Sequence, residues 1–334
     1  MERLYPLQFR ENLLKKVWGG QRIKPLKGLP SDDAPIGESW EVSAVEGHES
    51  VVSNGPLAGL TLSRLTADYG EQLLGRKVKA MYGQTFPLLL KLIDAREDLS
   101  IQVHPDDQLA AARHHTLGKT EMWFVMEADA GAHLYSGFKS QISKYEYSKR
   151  VEDGSITDVL MRHEVKRGDV FFIPAGRVHA ICGGIMVAEI QQSSDVTYRI
   201  FDYNRPGLDG KLRELHTALA EDAIDYKVYS SYLTNYSERV NKPVALTECP
   251  YFTVKIHNVT RPFHRKLFKY DSFIIYLCLE GGCTIQPVSD PATAVALQRG
   301  GVCLVPACDA DLYLVPHDAT AKVLEVYIDN KHFN

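Results

Sequence analysis

What this chain of 334 residues lacks narrows its function before any motif is read. No apolar run approaches the roughly 20 residues needed to cross a bilayer as a helix, so no membrane partner is expected. The opening residues Met1, Glu2, Arg3, Leu4, Tyr5 and Pro6 have neither the basic stretch nor the apolar core of a secretory signal. Excess positive charge is missing too. A formal net charge of −4 argues against nucleic acid and other polyanions as partners. An anionic ligand must therefore meet a local cluster of cations. Six cysteines in a chain this long do not form a disulfide framework, and the expected setting is the reducing cytosol. Four of them fall in two Cys-x4-Cys pairs, Cys278/Cys283 and Cys303/Cys308. That spacing puts the members of a pair on opposite faces of a regular strand, and zinc knuckles are usually tighter. Small buried side chains are the expected role, over a second metal site.

Helical periodicity is also limited. One helical stretch is expected at about 61–82, where Leu62, Leu65, Tyr69 and Leu73 share a face interrupted near Gly70. A second is expected at 106–115, opened by Asp106 and Asp107, and a third at 212–223. What the chain has in plenty is short strand-like runs separated by glycine and proline, at 88–93, 99–104, 121–126, 169–173 and 184–190. That pattern predicts a mainly β protein built as a sandwich or barrel, with a few short helices.

An internal repeat divides the chain. Gly168 to His179 reads G-x5-P-A-x3-H, and Gly300 to Asp311 reads G-x5-P-A-x3-D. Two related all-β units explain this economically. The expected domains are 1–240, ending in a polar linker over 229–241, and 241–334. In the second copy Asp311 stands where His179 does, Ser272 falls about where Glu121 does, and no Gln-x-His precedes them. The second unit is therefore expected to be structural and without metal.

The first unit carries a ligand constellation. Gln102 and His104 are two apart on a strand and point to one face. Glu121 opens the next strong strand, and His179 follows a Pro174-Ala175-Gly176 turn. Two imidazoles, a carboxylate and an amide oxygen suit one borderline divalent cation per chain, zinc first, with iron, manganese or cobalt as alternatives. His114 and His115 are rival ligands set aside because they fall in the 106–115 helix or its end.

The Gly168 to His179 element resembles the second cupin motif, and Gln102-x-His104 with Glu121 resembles a variant of the first. With glutamine as the first ligand, the segment Leu99 to Asp107 resembles type I mannose-6-phosphate isomerases. Lys119-x-Glu121-Met122, Ser194-Asp195-x-x-x-Arg199, Val17-Trp18-Gly19-Gly20 and Glu38-x-Trp40 are similar to further elements of that family. The resemblance spans most of residues 5–205. It implies two cupin-like barrels (jelly rolls) and a zinc-dependent aldose–ketose isomerase interconverting mannose 6-phosphate and fructose 6-phosphate. The protein would act as a monomer or small homo-oligomer on a small sugar phosphate.

Such chemistry moves a proton between C1 and C2 through an enediol, so it needs an electrophile, an acid/base and a phosphate anchor. The resemblance marks Arg199 as catalytic, against a plain salt bridge to Asp195 or Asp202. Lys91, in the apolar run 88–93, is expected to line the cavity as a further catalytic candidate, because an unpaired buried ammonium is costly. Glu189 is the acid/base candidate. Ser100 and Lys119 are phosphate candidates, Ser100 the weaker because adjacent strand residues alternate faces. The competing readings are a cupin oxygenase with iron and a non-catalytic sugar-binding bicupin.

Overall fold

The computed structural model describes residues 2–329 and Lys331. The chain divides into two compact units, each discontinuous in sequence. One comprises Leu13–Ser39 and Leu89–Thr234; the other comprises Met1–Asn12, Trp40–Leu88 and Asn235–Asn334. This differs from the expected contiguous segments 1–240 and 241–334. Motif spacing marks where a barrel's later strands lie, but it does not say which early residues pack with them.

The strands are β1 (Leu13–Gly20), β2 (Ile36–Val42), β3 (Leu88–Ala95), β4 (Ile101–Val103), β5 (Glu121–Ala128), β6 (His133–Phe138) and β7 (Leu160–Glu164). They continue as β8 (Val170–Ile173), β9 (His179–Ile181), β10 (Ile185–Gln192) and β11 (Tyr198–Phe201). These form a six-stranded sheet, β1-β2-β3-β10-β5-β8, and a five-stranded sheet, β11-β4-β9-β6-β7. The second unit has β12 (Val244–Glu248), β13 (Thr253–Val259), β14 (Phe263–Lys266), β15 (Ile274–Glu280) and β16 (Gly282–Pro287). It ends with β17 (Val295–Gln298), β18 (Val302–Val305), β19 (Asp311–Pro316) and β20 (Ala321–Tyr327). Its sheets are β12-β13-β20-β15-β18 and β14-β19-β16-β17. The mainly β expectation holds.

Helices are short, as expected. The 61–82 stretch is three helices, Leu62–Tyr69, Glu71–Leu74 and Arg76–Tyr82, broken at Gly70 and Gly75. Asp107–His114 is capped by Asp106, whose carboxylate accepts the Leu109 N–H. The third helix begins later than expected, at Thr217, because residue 212 is held extended by a bridge to Pro206. None of the helices among the described residues is long and apolar enough to cross a membrane.

Period-2 alternation builds the first unit's interior. Ile101, Val103, Ala180, Tyr198 and Ile200 pack on the outer face of the five-stranded sheet, with Ala220 and Ile224 from the last helix and the residue that follows it. Leu134 and Ile181 point inward and meet Ile93, Trp123, Val125, Phe171, Ile173 and Val187 of the six-stranded sheet. By the same parity Gln102, Ser136, His179 and Arg199 face inward from one sheet, and Lys91, Glu121, Glu189 and Gln191 from the other. One end of the interior is thus apolar and the other polar. The 229–241 stretch is no free linker. The Thr234 N–H donates to the Val170 oxygen at 2.8 Å, Leu233 bridges to Phe171, and Tyr232 is buried.

Register also corrects the alignment of the two units. Counting from Gly168 and Gly300, Ile173 corresponds to Val305 and Phe171 to Cys303. Glu121 pairs with Ile173 and Ile274 with Val305, so Ile274, not Ser272, occupies the Glu121 position. Trp123 lies opposite Glu189, and Tyr276 lies opposite Glu325, so Glu325 is the counterpart of Glu189. Cys278, Cys283 and Cys303 are core residues, while Cys308 is exposed.

Glu325 is fully buried and takes two bonds from Arg265, at 2.9 and 2.6 Å, and one from the Tyr276 hydroxyl at 2.8 Å. His257 Nε2 lies 3.3 Å away. Burial alone would raise its pKa, but His257 and Arg265 hold it well below its ordinary value of 4.5. Its stabilisation is therefore complete above that ordinary value and is lost as the pH falls toward the depressed one. Glu325→Ala strands the Arg265 charge, and we expect a loss of about 3–5 kcal/mol in denaturant unfolding. An unchanged midpoint would show that the cluster contributes little.

Candidate metal centre

A single row of residues crosses the five-stranded sheet. Arg199 lies opposite Gln102, Gln102 opposite His179, and His179 opposite Ser136. Directly opposed residues share a face, so β11, β4, β9 and β6 present the four side chains side by side. Across the interior, Glu121 of β5 lies opposite Gln191 of β10.

Each histidine has one ring nitrogen tied to a backbone carbonyl. His104 Nδ1 donates to the Val196 oxygen at 3.0 Å, and His179 Nδ1 to the Arg177 oxygen at 2.8 Å. That fixes the tautomer and leaves each Nε2 as a lone pair. Both lone pairs aim at Glu121, at 3.5 Å for His104 and 3.3 Å for His179. Burial, with the Lys119 charge nearby, holds the His104 pKa well below its ordinary value. Burial pushes His179 down to about 4. Both rings are neutral at neutral pH, as ligands must be. Burial and the neighbouring Glu189 raise the Glu121 carboxyl, against the opposing charges of Lys119 and Lys91.

Three ligand atoms from His104, Glu121 and His179 lie within 4.8 Å of one another, all buried. His104 Nε2 and both Glu121 oxygens have no hydrogen-bond partner. Leaving such groups unmatched in a dry interior costs several kcal/mol, and a divalent cation at their centre would satisfy all of them. Gln102 Nε2 donates to His179 Nε2 at 3.2 Å. Turning that amide end for end presents an oxygen to the same centre. The donor set fits a borderline divalent ion.

The other expected site residues fall around this centre. Lys91 is buried and donates to Glu189 Oε1 at 3.1 Å and to Gln191 Oε1 at 2.9 Å. Glu189 Oε2 accepts the Trp123 indole N–H at 2.9 Å. Burial would raise the Glu189 carboxyl, but Lys91 and then Lys119 bring it below its ordinary value. Lys119 Nζ lies 3.6 Å from Glu121 Oε2. Ser100 is buried just before β4, outside the strand whose alternation fixes the facing of Gln102. Arg199 Nη1 donates to the Glu214 oxygen at 2.8 Å, and its Nε has no partner. Asp202 is taken by Arg213, at 2.7 and 2.6 Å, and by Arg205 at 3.2 Å.

His114 binds the Tyr198 hydroxyl at 2.9 Å, outside the cluster, and His115 ends its helix in the left-handed region. Gln191, Trp123 and Ser136 are the residues that motif reading missed. Ser136 is buried beside His179 with an unpartnered hydroxyl. Strand parity from Glu121, Glu189 and Leu134 is the signal that would have found all three.

A family model for the type I phosphomannose isomerase catalytic domain matches residues 7–122. The mannose-6-phosphate isomerase ManA of Bacillus subtilis is 36% identical over 279 residues, covering 83% of this chain and 86% of that relative. The mannose-6-phosphate isomerase of Streptococcus mutans is 38% identical over 250 residues, covering 75% of this chain and 77% of its own. A crystal structure of the Bacillus subtilis mannose 6-phosphate isomerase superposes with a TM-score of 0.85 at 29% identity, covering 97% of this chain and 99% of that one.

The geometry predicts one divalent ion per chain, taken up with release of a proton, because burial holds Glu121 protonated when no cation balances it. Affinity should therefore rise with pH across the neutral range and level off once the carboxyl is ionised. Chelator-competition titrations at several pH values measure this. A pH-independent affinity would contradict the assigned state of Glu121.

Proposed function

The chain belongs to the type I phosphomannose isomerase family, and from that premise we propose that it interconverts mannose 6-phosphate and fructose 6-phosphate through an enediol. What supports the reading most is the convergence of ligand atoms from His104, Glu121 and His179, those of His104 and Glu121 without a hydrogen-bond partner, in line with the guanidinium of Arg199. We propose Gln102, His104, Glu121 and His179 as the ligands and zinc as the ion. When bound there, it supplies an electrophile for the substrate's carbonyl oxygen.

The chain's own residues carry the rest. Arg199 keeps its charge at any working pH and forks onto two oxygens, which suits an enediolate or a phosphate group. Its Nη1 bond to the Glu214 carbonyl aims the fork before substrate arrives. Lys119 and Ser100, close to the ligands, are the proposed phosphate contacts. Lys91 and Glu189, the other catalytic candidates, are bonded to one another and to Gln191 and Trp123 in a buried network. We assign them to fixing the floor of the site. A carboxylate engaged on both oxygens makes a poor proton shuttle. The proposed setting is the cytosol, and the proposed assembly a monomer or small homo-oligomer.

A coupled assay for fructose 6-phosphate formed from mannose 6-phosphate tests this reading. Chelation should abolish turnover and added zinc restore it. Arg199→Ala should lower kcat/KM about 10²–10³-fold while binding metal as wild type does. Wild type that yields no fructose 6-phosphate at saturating metal would sink the assignment. Binding of the sugar phosphate without turnover would instead favour a non-catalytic binding protein.

A further inference from the structure

The turn that delivers His179 is tied at its ends, where the Ala175 N–H donates to Thr120 Oγ1 at 3.2 Å and the Val178 oxygen accepts the Gly137 N–H at 2.8 Å. Between β8, which ends at Ile173, and β9, which begins at His179, residues 174–178 belong to no sheet. Yet the Arg177 carbonyl, inside that turn, receives the His179 Nδ1 proton and so sets the aim of the imidazole. The position of this carbonyl therefore matters to the centre, and something must hold it.

At the middle of the turn, further contacts come from residues 225–234. The Asp225 N–H donates to the Gly176 oxygen at 2.7 Å, while the Gly176 N–H donates to the His104 oxygen at 2.9 Å. Gly176 has φ +88, and a Cβ there would stand 2.9 Å from the Ala223 oxygen. The Arg177 guanidinium lies 4.8 Å from the ring centre of Tyr229 and 4.9 Å from that of Tyr232. Its Nη1 donates to the Phe172 oxygen at 3.0 Å. The rings are fixed in turn. The Tyr232 hydroxyl donates to the Phe138 oxygen at 2.9 Å and accepts the Tyr229 N–H at 3.2 Å. The Tyr232 ring lies where a Cβ on Gly137 would stand. The Tyr229 hydroxyl donates to Asp225 at 2.6 Å. Beyond them, Leu233 and Thr234 pair with β8.

We infer that residues 225–234 form a strap across the ligand-bearing turn, and that Arg177, Tyr229 and Tyr232 are positioning residues for His179. The inference rests on His179 being a metal ligand. A guanidinium lying over two neighbouring aromatic rings inclined at 69° is held by cation–π attraction to each. Clamping this side chain restrains the backbone of residue 177 and, through its carbonyl, the ring of His179. Such outer partners of a ligand commonly set metal affinity by 10–100-fold.

Full-length Arg177→Met and Tyr229→Leu proteins, with Tyr229→Phe as the conservative control, separate positioning from general stability. Zinc affinity is measured by competition with a chromophoric chelator, cobalt-bound forms by their visible spectra, and folding by thermal unfolding of the metal-free proteins. Tyr229 is half-exposed, so its replacement keeps the fold even where Arg177→Met does not. We expect Arg177→Met and Tyr229→Leu to bind zinc about tenfold more weakly or worse, with altered cobalt spectra. Tyr229→Phe, which keeps the stacking ring, should match wild type in both. Folded variants with wild-type affinity and spectra would overturn the inference. A wild-type protein that takes up no zinc would overturn the metal reading itself, and the strap's role with it.

Discussion

The arrangement turns on a carboxylate, Glu121, placed in a dry interior with no hydrogen-bond donor on either oxygen. Burying such a group alone is costly. Its surroundings make sense as compensation: two neutral imidazoles aimed at it, and Lys119 and Lys91 lowering the cost of its charge. A cation at the centre turns the same burial into tight coordination. The donor set thus suits positive charge, and its electrostatics follow from that one desolvated group.

Much of the centre was legible because a strand's side chains alternate. Gln102-x-His104 states its own geometry, and the Pro-Ala-Gly turn before His179 carries a left-handed glycine that few other sequences would need. Lys91 was legible as a buried cation but not as half of a pair, since Glu189 is 98 residues away and only sheet register brings them together. The same holds for Gln191 and Ser136, which lie in no motif. The part of the strap from 229 reads as linker because the stretch 229–241 is polar in composition. Its order comes from tertiary contacts to Arg177 and β8, which local composition does not encode.

Comparison of the two units separates architecture from chemistry. Both keep a buried glutamate at the same register, bonded to an aromatic donor on the facing strand and to a cation: Glu189 with Trp123 and Lys91, Glu325 with Tyr276 and Arg265. The ligand positions do not persist. Ile274 stands for Glu121, and Asp311, paired with His264 at 2.6 Å, for His179. A feature common to both units owes nothing to the metal in particular. That agrees with a supporting task for Lys91 and Glu189.

The interleaved segments of the two units bear on synthesis order. The unit made of Leu13–Ser39 and Leu89–Thr234 has its whole sequence once residue 234 has left the ribosome. Residues 40–88, with Leu62, Leu65, Leu73 and Leu74 on their helices, belong to a unit whose remaining strands are translated last. At roughly 5–20 residues per second, that wait is some tens of seconds, about 12–48 s. For that interval the leucines of this segment lack the later strands of their own unit.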